Sequence, residues 1–213
     1  ELSVSMVAER EMSKLISKIF RWKSSLKRYI EVSRVSEISR RYFIMNSFDG
    51  VMTILGIVFG SLIANVSQSK FILAAGLGAS LAMFLSGFTG TYMTEKAERL
   101  KKFKELERDL LESLDNTIHK RAVEIASIIA ALIDGVSPLI SSVIAISPFF
   151  FVSFGLLSMG VAYFSSILLS LCLLFLLGVF LGKISRENII ISGLKMLLAG
   201  LLVAVVSLLL SGL

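Results

Sequence analysis

The sequence predicts an all-α membrane protein with five transmembrane helices, a charged amphipathic N-terminal segment and a charged helical connection between the second and third spans. Its 213 residues are 55% hydrophobic and only 18% charged, whereas soluble domains average about 45–50% apolar and about 25% charged residues. Five apolar runs each approach or exceed the ~20 residues that cross a bilayer. Almost all Lys and Arg residues lie outside these runs, as expected for residues that set membrane topology.

Composition also excludes several classes of protein. The net charge of +6 comes from these topology-setting residues, so we expect no nucleic-acid partner. A single cysteine, Cys172, allows no intrachain disulfide and no cysteine-based metal site. The chain has no nucleophile elbow, phosphate loop or zinc-protease motif, so we expect no enzyme.

The first 41 residues form the charged N-terminal segment. Apolar residues at helical spacing, from Met12 to Ile30, alternate there with Lys and Arg residues. One interpretation is an interfacial helix on an anionic membrane surface, with Trp22 at the level of the headgroups. The other is a helix packed against the rest of the protein.

The remaining residues, 42–213, form one membrane domain with five predicted spans. These are 42–64, 71–94, 122–146, 154–181 and 189–213. The sequence from 122 to 181 is nearly uncharged, so we place the turn between the third and fourth spans at Ser147-Pro148. Basic residues fill the N-terminal segment, the 95–121 connection and the loop with Lys183 and Arg186. This alternation predicts a cytoplasmic N-terminus and an external C-terminus.

The 95–121 connection has no Pro or Gly and is predicted to continue the second helix beyond the membrane. Four of its acidic residues fall on one helical face, and a further one follows at the start of the third span. They are Glu98, Glu105, Asp109, Glu112 and Glu124. Such a surface could collect divalent cations. The alternative is an ordinary solvated helix, since several Lys and Arg residues offer partners at helical spacing.

Asp49 is one of two aspartates inside predicted spans, where ionisable groups are costly and point to function. Met45, Asn46, Met52 and Thr53 border the same helical face. A carboxylate, an amide oxygen and two thioethers suit Fe²⁺ or Mn²⁺ in transit, and a carboxylate can exchange a metal ion for protons. The alternative is that Asp49 hydrogen-bonds a neighbouring helix and the methionines only pack.

Asp134, in the third span, is the second such aspartate and a further candidate for the transport pathway. Its polar neighbours are serine hydroxyls, and Pro138 four residues later removes a hydrogen bond to the Asp134 carbonyl. This predicts a broken helix with an exposed backbone oxygen, as in many transporters. In the first span, Gly56 and Gly60 have the GxxxG spacing that permits close helix packing within a protomer or across a dimer.

The pattern as a whole resembles the vacuolar iron transporter (VIT/CCC1) family, as a divergent, short, prokaryotic-type member. The resemblance rests on three stretches and the order of the spans. The stretches are Phe48-Asp49-Gly50 with Thr53, Gly56 and Gly60; residues 86–92 leading into Glu95-Lys96-Ala97-Glu98; and Ser147-Pro148-Phe149-Phe150, followed by 178–183 and 193–198.

This resemblance implies a homodimer that exchanges cytosolic Fe²⁺ or Mn²⁺ for protons, in the cell membrane of a prokaryote, with no permanently bound cofactor. It implies a pathway between the first and second helices of both protomers, with Asp49 as the pathway carboxylate and a cytoplasmic acidic surface that loads metal. The family's second-span glutamate and methionine correspond here to Ala79 and Gly87. Met83, one turn earlier, is the candidate replacement.

Two other functions remain open from the sequence. One is a non-transporting scaffold of the same fold, whose cytoplasmic helices bind another protein; the substitutions at Ala79 and Gly87 favour it. The other is transport of a different small cation or an organic solute.

Overall fold

The computed structural model describes residues 35–111 and 118–210, which are almost entirely helical. Six helices follow one another along this part of the chain: α1 (Val35–Ile63), α2 (Ser69–Leu110), α3 (Ile118–Ile146), α4 (Pro148–Ser153), α5 (Met159–Ser185) and α6 (Ile189–Leu210). All except α4 are long and apolar enough to cross a bilayer. The protein is therefore an all-α, multi-pass integral membrane protein with five spanning helices, as the sequence predicts.

Helix α2 is much longer than a bilayer requires. Its 42 residues extend about 63 Å, roughly twice the ~30 Å hydrocarbon core. The helix continues through the charged segment until Leu111, whose left-handed backbone (φ 53°) ends it. Of the predicted N-terminal segment, 1–41, residues 1–34 lie outside the described residues, as does Glu112 of the acidic face, whereas residues 35–41 form the start of α1.

The connection between the third and fourth spans differs from the predicted single turn. Pro148 does begin a new helix, but this is the short α4, whose Phe149 is fully buried and packs edge-to-face on Tyr163, with ring centroids 5.2 Å apart. Gly155, with φ +74°, lies just beyond α4, and α5 begins only at Met159. The fourth spanning helix thus starts five residues later than the apolar pattern predicts, because α4 is itself apolar.

Helix α3 lies at the centre of the first three helices. Both α1 and α2 pack mainly against α3 and only lightly against each other, and α1 also contacts the α5–α6 pair. A Cβ atom on Gly50 of α1 would lie 2.6 Å from the Pro138 carbonyl oxygen, and one on Gly135 of α3 would lie 2.7 Å from the Phe84 carbonyl oxygen. The helices therefore cross at backbone contact. This arrangement leaves a groove between α1 and α2, with α3 as its floor.

The predicted break of the third span at Pro138 is wrong, because α3 is one continuous helix from Ile118 to Ile146. The serine hydroxyls near Pro138 donate hydrogen bonds to backbone carbonyl oxygens. The Ser137 hydroxyl donates to the Ile133 carbonyl, and the Ser142 hydroxyl donates across to the Gly50 carbonyl at 3.1 Å. Neither bond reaches the Asp134 carbonyl, which Pro138 leaves without its helical donor, so α3 continues through the proline by its packing against α1 and α2. The Ser142 bond also ties α3 to α1 next to Asp49.

Candidate metal-transport site

Asp49 lies on α1, within a spanning helix, and its side chain is exposed in the single chain. It makes no hydrogen bond or ion pair with the other described residues. Asp49 lines two cavities that lie on either side of α1. A membrane carboxylate without a protein partner is available to bind a cation.

The smaller cavity, of about 400 Å³, occupies the groove between α1 and α2. It is lined by Asn46, Asp49, Ala82, Met83, Ser86, Gly87 and Pro138. Met83 also accepts a hydrogen bond from the Thr53 hydroxyl, with the oxygen 3.7 Å from the sulfur, which joins α1 to α2. A carboxylate, an amide, a thioether and a hydroxyl therefore surround one space.

The larger cavity, of about 830 Å³, lies between α1 and the α5–α6 pair. Its lining extends from Glu37, Arg40 and Arg41 at the start of α1, past Met45, to Asp49. Glu187 and Lys195 line it from the other side. We call the end of the bundle that carries these charges the charged end. The cavity thus connects this end with Asp49.

Asp134 lies behind the groove, buried with 6% of its surface exposed, and lines neither cavity. Its Oδ1 accepts a hydrogen bond from the Asn46 amide nitrogen, and its Oδ2 accepts one from the Thr91 hydroxyl at 2.8 Å. Gly87 makes room for it, since a Cβ atom there would lie 2.8 Å from Asp134 Oδ2. One carboxylate thereby joins α1, α2 and α3.

A second polar contact between α1 and α2 was not singled out from the sequence. The Tyr42 hydroxyl donates to Glu95 Oε1 at 2.9 Å, and Arg99 Nε donates to Glu95 Oε2 at 2.9 Å. Glu95 is buried, with 8% of its surface exposed. The spacing in the sequence could have indicated this contact. Tyr42 and Asn46 are four residues apart, as are Thr91 and Glu95, so each pair lies on one helical face.

The other predicted site residues are not all brought together. Met45 shares the larger cavity with Asp49, whereas Met52 packs on the apolar cluster of Val51, Leu55 and Leu174 and lines neither cavity. Four of the acidic residues are exposed: Glu98, Glu105, Asp109 and Glu124. Within residues 35–111 and 118–210, no group of three His, Cys, Asp or Glu side chains is placed to hold one metal ion.

The fold and the site define a polytopic helical membrane protein with a carboxylate between its helices. Residues 111–211 match the model of the VIT family. The chain is also 38% identical over 173 residues to an uncharacterized protein of Methanocaldococcus jannaschii, a match that covers 79% of this chain and 86% of that protein. The chain belongs to the VIT family, a family of metal-ion transporters and not of enzymes.

Proposed function

We propose that this protein exports Fe²⁺ or Mn²⁺ from the cytosol in exchange for protons, with Asp49 as the pathway carboxylate. The observation that carries the proposal is the position of Asp49, which lies inside a spanning helix, has no hydrogen-bond or ion-pair partner among the described residues and lines both cavities. A carboxylate in this setting costs a few kcal/mol on insertion scales, and such residues mark ion pathways.

The ligand set supports a divalent transition metal. Oxygen atoms from Asp49, Asn46 and Ser86 suit Mn²⁺, while the thioether of Met83 favours the softer Fe²⁺. Metal binding to a carboxylate competes with protonation, so the same group can couple the two fluxes. The basic residues of the charged end support its placement in the cytoplasm. The acidic residues of α2 and Glu124 are then on the side from which metal would be loaded.

We propose a homodimer as the transporting unit, because the groove beside Asp49 is open in the single chain. A Cβ atom on Gly56 or Gly60 of α1, or on Gly78 or Gly90 of α2, would meet nothing within 4 Å. A second copy packed against these helices would close the groove and add a second set of ligands.

We expect Gly56→Leu to convert the dimer to a monomer, because the larger side chain would separate the two copies of α1. Molar mass of the purified protein, measured by light scattering in detergent, checks this. Gly160→Leu is the matched control, since Gly160 also faces open space but lies on α5. A Gly56→Leu protein that stays dimeric would contradict this interface.

Transport is tested with Mn²⁺ and Fe²⁺ in proteoliposomes. For exchange with protons, an acidic lumen should accelerate metal uptake severalfold, and a protonophore should remove that acceleration. Liposomes without protein are the control. A rate of metal uptake that does not depend on the proton gradient would argue against antiport. The absence of flux from folded, dimeric protein would instead favour the scaffold function.

A further inference from the structure

The amide of Asn46 is held at its nitrogen by two partners. Nδ2 donates to the Tyr42 carbonyl oxygen at 2.9 Å and to Oδ1 of Asp134. Among the described residues, both hydrogen bonds of this side chain are made by the nitrogen and none by the oxygen. The nitrogen therefore has a partner for each of its two hydrogens.

The chemistry of the partners decides which end of the amide faces them. A backbone carbonyl and an ionised carboxylate are acceptors only, and the amide nitrogen supplies two donors. With the opposite orientation, the amide oxygen would face two other oxygen atoms and three acceptors would repel each other. Thr91 holds the carboxylate in place, because its hydroxyl donates to the other oxygen of Asp134 at 2.8 Å.

Asn46 borders the smaller cavity. Asn46 and Asp49 both line this space and lie three residues apart on α1, so they share a helical face. With the nitrogen engaged behind the groove, the amide oxygen is the atom free to face a cation. An amide oxygen binds hard cations, whereas an amide NH₂ group repels them.

We propose that Asp134 is a positioning residue that fixes the Asn46 amide so that its oxygen, beside the Asp49 carboxylate, binds a divalent cation in the groove. Asp134 itself does not bind the ion, because both of its oxygens are hydrogen-bonded, it is buried, and it lines neither cavity. This inference deepens the proposed function and rests on it for the location of the metal.

Mn²⁺ binding to the purified dimer, followed by electron paramagnetic resonance, tests the inference. We expect Asn46→Ala and Asp134→Ala each to raise the Kd for Mn²⁺ by about tenfold, the size of one charge-assisted hydrogen bond. The double variant should bind as weakly as either single variant, because the two residues act through one contact. Asp134→Asn should stay within about threefold of the original Kd, since its side-chain oxygen still accepts from Asn46.

Three results would overturn the proposal. The first is Mn²⁺ binding by Asp134→Ala that equals that of the unaltered protein, which would leave Asp134 a structural role detectable only in the melting temperature. The second is a double variant in which the two losses multiply. The third is a loss of tenfold or more in Asp134→Asn, which would make Asp134 itself a ligand. If Asp134→Ala does not fold, the isosteric Asp134→Asn still decides whether Asp134 is a positioning residue or a ligand of the metal ion.

The binding titration separates this inference from the proposed function. Protein that shows no flux but binds Mn²⁺ with the expected pattern of variants would leave the positioning role intact and remove the transport function. If the unaltered protein transports Mn²⁺ but Asp134→Ala binds Mn²⁺ as tightly as the unaltered protein does, the transport function would stand and the positioning role would be removed. Unaltered protein that binds no Mn²⁺ at all would remove both.

Discussion

Asp49→Ala is expected to lower metal flux by about thirtyfold or more, because loss of the carboxylate from a desolvated carboxylate–metal pair costs about 2–5 kcal/mol. Folding should persist. The side chain makes no hydrogen bond or ion pair with the other described residues, so its removal leaves no buried group without a partner. Initial rates of Mn²⁺ uptake into proteoliposomes, beside the melting temperature and molar mass of the variant, measure both expectations.

Two further variants make this result specific. Asp49→Asn keeps the shape of the side chain and removes its charge, so it should lose flux almost as completely. Glu187→Gln makes the same change at the other end of the larger cavity, in the loop after α5, and should retain nearly full flux. Flux preserved in Asp49→Ala would refute the pathway role of this carboxylate. Equal losses in Asp49→Asn and Glu187→Gln would indicate a general charge effect.

The two membrane aspartates thus have opposite surroundings, although the sequence presents them alike. Asp49 faces cavities on both sides of α1 and is free to bind a ligand. Asp134 is enclosed by three helices and has both oxygens occupied. In both cases an Asp-Gly pair in an apolar run indicates an ionisable group that is costly to place in the membrane. Which partners it meets depends on residues far away in the sequence, such as Asn46, 88 positions before Asp134.

The spanning helices follow from the sequence because their signal is local. A run of about 20 apolar residues has to satisfy its backbone internally, and a helix does so. The boundary between the third and fourth spans is one place where the prediction and the structure differ, since α4 is as apolar as the helices around it and only Pro148 and Gly155 mark its ends. The start of α1 is another, because the helix begins at Val35, within the charged segment before the apolar run.

The site was partly predictable for the same reason. Residues on one helical face, such as Asn46 and Asp49, could be grouped from their spacing, whereas Met52 faces the core because α5 packs there. The substitution at Gly87 has a structural consequence that spacing could not reveal. The resemblance places a methionine at this position, and here the missing side chain leaves room for the Asp134 carboxylate. The glycine at position 87 of α2 is therefore matched by the aspartate at position 134 of α3.

Gly50→Ala is expected to destabilise the protein strongly, because Gly50 is where α1 rests on α3. An added Cβ atom would lie 2.6 Å from the Pro138 carbonyl oxygen and 2.8 Å from the Pro138 Cα atom. These are backbone atoms of a packed helix and cannot turn aside as a flexible side chain can. Overpacking of this kind typically costs about 1–3 kcal/mol, so the melting temperature should fall by about 2–12 °C.

Gly160→Ala provides the control. Gly160 also lies inside a helix, α5, but a Cβ atom there would meet nothing within 4 Å. Alanine should therefore raise the stability by up to about 1 kcal/mol through helix propensity alone. A melting temperature that is kept or raised in Gly160→Ala and falls in Gly50→Ala would locate the cost at the α1–α3 crossing. Mn²⁺ binding should weaken in Gly50→Ala as well, because separating α1 from α3 also separates Asn46 from Asp134. Equal changes in the two variants would contradict this crossing.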